Sequence, residues 1–175
     1  MGTILNLSLS LPLYLSCTHT HTHTHTNSQA GRRLPTELEW ETAARGGLED
    51  ELFSWGSEFD ERMCNGWQGK FPDENDVVDG YDGVSPTHAY EPNPFGLYGM
   101  IGNVWEWTNG GTKDSRPMRG GSFVDTLSGD FNHALRVSTR MMNTPDSSAS
   151  NTGFRCASSV VVMTKKRTHH DGDEI

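Results

Sequence analysis

At 175 residues the chain has room for one domain, and with only 33% apolar residues against 19 glycines and 8 prolines it can bury one modest core and must run largely as loop. A formal charge of −9 with dispersed basic residues argues against nucleic acid, because phosphate recognition needs a basic stripe. No run approaches the ~20 apolar residues of a transmembrane helix, so no helical membrane span is expected.

Residues 1–32 are foreign in composition to the rest. Residues 1–16 are weakly apolar, but they lack the basic start of a signal peptide. Residues 18–26 alternate Thr and His, placing His19, His21, His23 and His25 in one tract. Imidazole-rich tracts can bind metal, yet no second ligand type is present here. A translated CA dinucleotide repeat reads the same way, so the segment is expected to be a gene-model artefact or a poorly ordered tail. Residues 159–175 form a charged tail, expected to be disordered. Its last four residues, Gly172-Asp173-Glu174-Ile175, loosely echo an endoplasmic-reticulum retrieval signal and equally suit an ordinary acidic tail.

Between these ends, Thr36 is placed to cap a helix with its hydroxyl, and Glu39 three residues later completes a capping box. Ala43 and Ala44 favour helix, and Gly46-Gly47 ends it. Residues 53–94 show neither a 3.6-residue nor a 2-residue period and are broken by Asp79-Gly80, Asp82-Gly83 and Pro92-Asn93-Pro94. So long an irregular run is expected to be functional or tied down. A hard cation could tie it, with Asn65, Asp73, Asn75, Asp76, Asp79 and Asp82 as candidate ligands and Glu106, between two tryptophans, as another. The pattern is weakly specific, since surface loops are rich in Asp and Asn.

Strands are predicted at 101–107, 118–124, 134–139 and 153–157, giving a mixed α+β domain. Residues 143–151 are a polar loop that can bond a peptide backbone or itself. Arg155 suits a structural ion pair better than a ligand-orienting role. The three cysteines (Cys17, Cys64, Cys156) cannot all pair, and none has a neighbouring base. Ser122 lacks a nucleophile elbow and reads as an ordinary strand residue.

Several strings combine in order: Arg33-Leu34-Pro35-Thr36-Glu37-Leu38-Glu39-Trp40, Gly96-Leu97-Tyr98, Gly102-Asn103-Val104-Trp105-Glu106-Trp107, Arg119-Gly120-Gly121-Ser122, the 143–151 loop, and Gly153-Phe154-Arg155-Cys156. Together they resemble the formylglycine-generating enzyme (sulfatase-modifying factor) family over residues 33–158, with the N-terminal half of the family's domain missing. The resemblance implies a C-type-lectin-like α+β fold with little regular secondary structure. It also implies structural calcium, residence in the endoplasmic reticulum lumen and a sulfatase peptide as partner, contacted through Trp105, Ser122, Ser148 and Asn151. A first calcium site would use Asn65, the Gly66 carbonyl, Asp79 and the Tyr81 carbonyl. A second would use the Gly102 and Val104 carbonyls and Glu106, although Gly99 replaces the side-chain oxygen the family usually offers after the Leu-Tyr pair.

Active members carry two copper-binding cysteines after the Gly-Gly-Ser turn. In this chain the first falls on Asp125 and the second on Asp130 or Asn132, and no cysteine lies between Cys64 and Cys156. Hard carboxylate and amide oxygens do not suit Cu(I), so no copper and no catalytic residue are expected. A family disulfide aligns with Ala44 and Val137, both cysteine-free, and Cys156 lacks its family partner. The resemblance is therefore to the family's catalytically silent branch, implying a regulator that binds sulfatases and the active enzyme, as a homodimer or a heterodimer. An active copper- and oxygen-dependent oxidase and a bare calcium-stabilised module are the alternatives.

Overall fold

The computed structural model describes residues 32–158. The Thr-His tract, the weak leader-like segment, Cys17 and the charged C-terminal tail lie outside them. A short antiparallel pair joins the two ends of this span, β1 (Arg32–Arg33) against β6 (Ala157–Ser158). The one helix among the described residues, α1 (Glu37–Arg45), starts where the sequence predicts. Thr36 Oγ1 accepts from the Glu39 N–H at 3.2 Å, and Glu39 Oε2 accepts from the Thr36 N–H at 2.9 Å. Gly46, in the left-handed region at φ 60°, ends it. The helix buries Trp40, Ala43 and Ala44, spaced three and four apart on one face.

That face lies on a four-stranded sheet of order β4-β3-β2-β5, comprising β2 (Trp105–Trp107), β3 (Arg116–Arg119), β4 (Arg140–Asn143) and β5 (Thr152–Phe154). Strands β2, β3 and β4 run antiparallel in sequence, while β5 joins β2 in parallel with Glu106 opposite Gly153. Arg119 pins α1 to β3: its guanidinium donates to Glu41 at 2.5 Å and stands over the Trp40 ring at 5.5 Å. The main core lies on this side and contains Trp40, Ala43, Ala44, Phe53, Cys64, Met100, Ile101, Leu127, Leu135 and Val137. Ala44 and Val137, the positions of the absent bridge, both sit in it. A smaller cluster of Trp105, Trp107 and Met118 is flanked by Leu34, Met141 and Phe154.

Three predicted strands are corrected. The ladder of β3 stops at Arg119 because Gly120 and Gly121 take φ of 95° and 76° and turn the chain, so Ser122 is not a strand residue. A side chain at Gly121 would collide with Leu135. Residues 134–139 form no strand. Leu135 and Val137 alternate into the core, but the segment finds only an isolated bridge, Ala134 to Thr126, and a bond from the Val137 N–H to the Leu52 carbonyl. The predicted 153–157 strand is two strands, β5 and β6, broken at Arg155-Cys156.

No regular element lies between α1 and β2. Side-chain amides tie this long loop to the core. Asn93 Nδ2 donates to the Ala43 and Ala44 carbonyls at 2.6 and 3.1 Å, and its Oδ1 accepts from the Phe95 and Leu97 N–H groups. Asn103 clamps Ser85 through both backbone groups, at 2.9 Å to N and 3.2 Å to O.

Candidate functional site

The turn after β3 buries Ser122 completely and leads into a loop closed by Asp125. Asp125 is 1% exposed. Its Oδ2 accepts from the Ser122 N–H at 2.8 Å and the Ser122 hydroxyl at 2.7 Å. Its Oδ1 accepts from the His133 N–H at 3.1 Å and lies 3.1 Å from His133 Nδ1. Asn151 Nδ2 donates to Ser122 Oγ at 3.1 Å, and the Asn151 carbonyl accepts the Trp105 N–H at 2.8 Å. The His133 ring stands edge-on to Trp105, centroids 4.9 Å apart. Three of the four residues expected at the peptide, Trp105, Ser122 and Asn151, thus meet in one network around Asp125. Ser148 stays apart, exposed on a 143–151 loop that bonds itself through Thr144, Ser147 and Asn143.

The Ser122 hydroxyl donates to a carboxylate and accepts from an amide. The carboxylate is itself held by the Ser122 N–H and by His133, so the arrangement serves as a clamp. Asp125, which the sequence marks only as the place of an absent thiol, is the centre of the clamp. His133 was not singled out from sequence at all, since an Asp and a His eight positions apart in a loop carry no local signal.

Beside this network, the parallel bridge Trp67 to Thr126 and the bond from the Trp67 N–H to the Asp125 carbonyl lead to the first expected cation set. Asp79 accepts the Gly66 N–H and the Tyr81 N–H, each at 2.9 Å. Asn65 is 1% exposed and donates through Nδ2 to the Gly83 carbonyl at 2.7 Å and to Asn103 Oδ1 at 3.1 Å. That fixes its amide, yet its buried Oδ1 has no hydrogen-bond partner among the described residues. A buried orphan acceptor costs about 1–3 kcal/mol. Burial, with the Asp79 charge added, pushes both the Cys64 thiol and the Tyr90 hydroxyl well above their ordinary values. A buried orphan oxygen on Asn65, next in sequence to the Gly66 N–H that Asp79 accepts, fits a hard cation. The other candidates do not converge on it. Asp73 pairs with Lys70 on the surface, Asp76 is exposed, and Asn75 bonds Asp82 and nearby backbone.

The second expected set does not fit a cation. Glu106 Oε2 accepts from Arg155 Nε at 2.5 Å and from Trp40 Nε1 at 2.6 Å, and its Oε1 accepts from Arg155 Nη2 at 2.7 Å. Arg155 Nη2 also donates to the Tyr98 and Gly99 carbonyls. A guanidinium therefore supplies the positive charge expected from an ion, and Gly99 adds no side-chain oxygen. Gly102 is held for a different reason: a Cβ there would strike the Asn65 carbonyl, so its close approach to residue 65 requires glycine. Among the described residues no group of three or more His, Cys, Asp or Glu could hold a metal, so the first set depends on amide and carbonyl oxygens. No helix among them is long and apolar enough to cross a membrane.

Comparison with known proteins agrees with this fold. The chain is 53% identical over 133 residues to the Bos taurus protein named inactive C-alpha-formylglycine-generating enzyme 2, covering 73% of this chain and 44% of that protein. It is 45% identical over 148 residues to the Mus musculus formylglycine-generating enzyme, covering 73% of this chain and 39% of that protein. The chain thus spans less than half the length of these curated relatives. The crystal structure of CarF superposes with a TM-score of 0.58 at 27% identity, over 77% of this chain and 51% of that one. The α+β fold with little regular secondary structure is the one the resemblance implied. The family model described as the sulfatase-modifying factor enzyme 1-like domain matches residues 23–160, and the chain belongs to that family.

Proposed function

We propose that this chain is a non-catalytic sulfatase-modifying factor that binds sulfatases in the endoplasmic reticulum lumen and restrains their activation by the formylglycine-generating enzyme. The carrying observation is Asp125. At the position where the resemblance expects the first thiol stands a buried carboxylate whose oxygens already meet four nitrogen and oxygen groups of Ser122 and His133. Such a group is a hard, committed ligand and offers nothing soft to Cu(I). The 53% identity to a relative named inactive supports the same reading. Of the residues expected at the peptide, Asn151 then remains partly accessible, with Trp105 and Ser122 buried behind it, and none of the three offers redox chemistry.

Calcium is proposed for the first set alone. Asn65 Oδ1, the Gly66 and Tyr81 carbonyls and Asp79 would hold it, and bound there it would neutralise Asp79 and tie the 53–94 loop to the core. Pull-down of the purified chain with a sulfatase, with the active enzyme, and with a Cys-x-Pro-x-Arg peptide tests the reading. Capture of sulfatase is expected, together with slower sulfatase activation when the chain is added to the active enzyme. A chain that captures neither protein sinks it, and a calcium-stabilised module without a sulfatase role would then be the better account.

A further inference from the structure

We propose that His133 reads the side chain at the cysteine position of the bound peptide, and that it accepts any hydrogen-bond donor there, hydroxyl as well as thiol. This rests on the peptide-binding reading above.

The argument starts from Asp125. Its carboxylate receives the Ser122 N–H, the Ser122 hydroxyl and the His133 N–H, and so acts as an acceptor towards each neighbour. The contact at 3.1 Å to His133 Nδ1 is then a hydrogen bond only if Nδ1 carries the proton. In the neutral ring, that choice leaves Nε2 as the acceptor. The orientation is fixed twice over, because backbone N and ring Nδ1 bond the same Oδ1 and the ring edge rests on Trp105. The side chain is 45% exposed, and Nε2 has no partner among the described residues. The Ser122 hydroxyl, by contrast, is used in both directions. The network therefore presents a preoriented acceptor beside the residues expected to meet the peptide.

An imidazole nitrogen does not require sulfur. A thiol is a weak donor and a hydroxyl a better one. A site that oxidised cysteine would need the sulfur, whereas this site needs only the donor. Full-length chain titrated with fluorescent peptides carrying Cys, Ser or Ala at the central position separates these cases. The Cys and Ser peptides are expected to bind within about twofold of each other, and the Ala peptide about two- to tenfold more weakly, as for loss of one hydrogen bond. His133→Asn keeps an amide donor for Asp125 and removes the outward acceptor, so all three peptides should bind it alike. His133→Ala, which removes the ring, should level them too if the Asn variant melts early. The proposal is overturned if wild type binds the Ala peptide as tightly as the others, or if either folded variant keeps the difference. Failure of every peptide to bind wild type overturns the peptide-binding reading itself, a result distinct from binding without discrimination.

Discussion

Replacing Arg155 by Met tests the claim that an internal guanidinium fills the second cation position. Glu106 is 7% exposed, and Arg155 supplies two of its three hydrogen bonds, leaving only Trp40 Nε1 after the substitution. The Tyr98 and Gly99 carbonyls also lose their donor. Removing one partner of a buried ion pair costs about 3–5 kcal/mol, because the remaining charge is left without compensation. Arg155 is itself 23% exposed, which admits water and favours the lower end, about 3 kcal/mol. For a domain of this size that is a fall in Tm on the order of 10 °C. Urea denaturation of the wild type, Arg155→Met, Glu106→Gln and the double variant gives the coupling directly. The double variant should be more stable than Arg155→Met alone, since the stranded charge is gone. A loss below about 1 kcal/mol in Arg155→Met, unchanged by the second substitution, would mean that Glu106 is solvated or otherwise neutralised, and would refute the reasoning.

Calcium should raise the melting temperature of the whole chain, by about 2.7 kcal/mol of stability at a hundredfold excess over Kd, and Asp79→Asn should abolish the response; a melt insensitive to both calcium and chelator removes the first site. The Arg33 guanidinium, hydrogen-bonded to Glu39 at 2.7 Å, lowers that carboxyl from 4.5 to about 2 against the opposing effect of burial, with Thr36 assisting. The folded-state value is depressed, so the pair's contribution is complete above pH 4.5 and declines as pH falls towards 2. Tm against pH should therefore fall more gently for Glu39→Gln across that window, and superimposable profiles would contradict the assignment. Cys64, buried and held protonated mainly by desolvation, should resist iodoacetamide until the chain unfolds, while half-buried Cys156 labels in the native state. Peptide mapping showing equal native rates would place Cys64 outside the core.

Helix α1 was legible because its signals are local: Thr36, Glu39 and Gly46 each act within one turn. The 134–139 segment shows the limit of periodicity. Leu135 and Val137 alternate into the core as strand residues would, yet the period reports which side chains are buried and not whether a ladder forms. The loop anchors escaped notice because they act across distance. Asn93 reaches back about 50 positions to the end of α1, and nothing in Pro92-Asn93-Pro94 beyond a turn announces it. At the site, the resemblance located Asp125 as a substitution. The structure turned it into the hub that gathers Ser122 and His133, with Asn151 bonded to Ser122. Glu106 was readable as a desolvated carboxylate between two tryptophans, but its partner, Arg155, lies 49 positions away across the β2–β5 pair.

Mixing the purified chain with a Cys-x-Pro-x-Arg sulfatase peptide, copper and oxygen, then measuring both binding and peptide mass, tests the central claim most directly. The account predicts saturable binding and an unchanged peptide mass. Loss of mass matching conversion of the cysteine to formylglycine would contradict it.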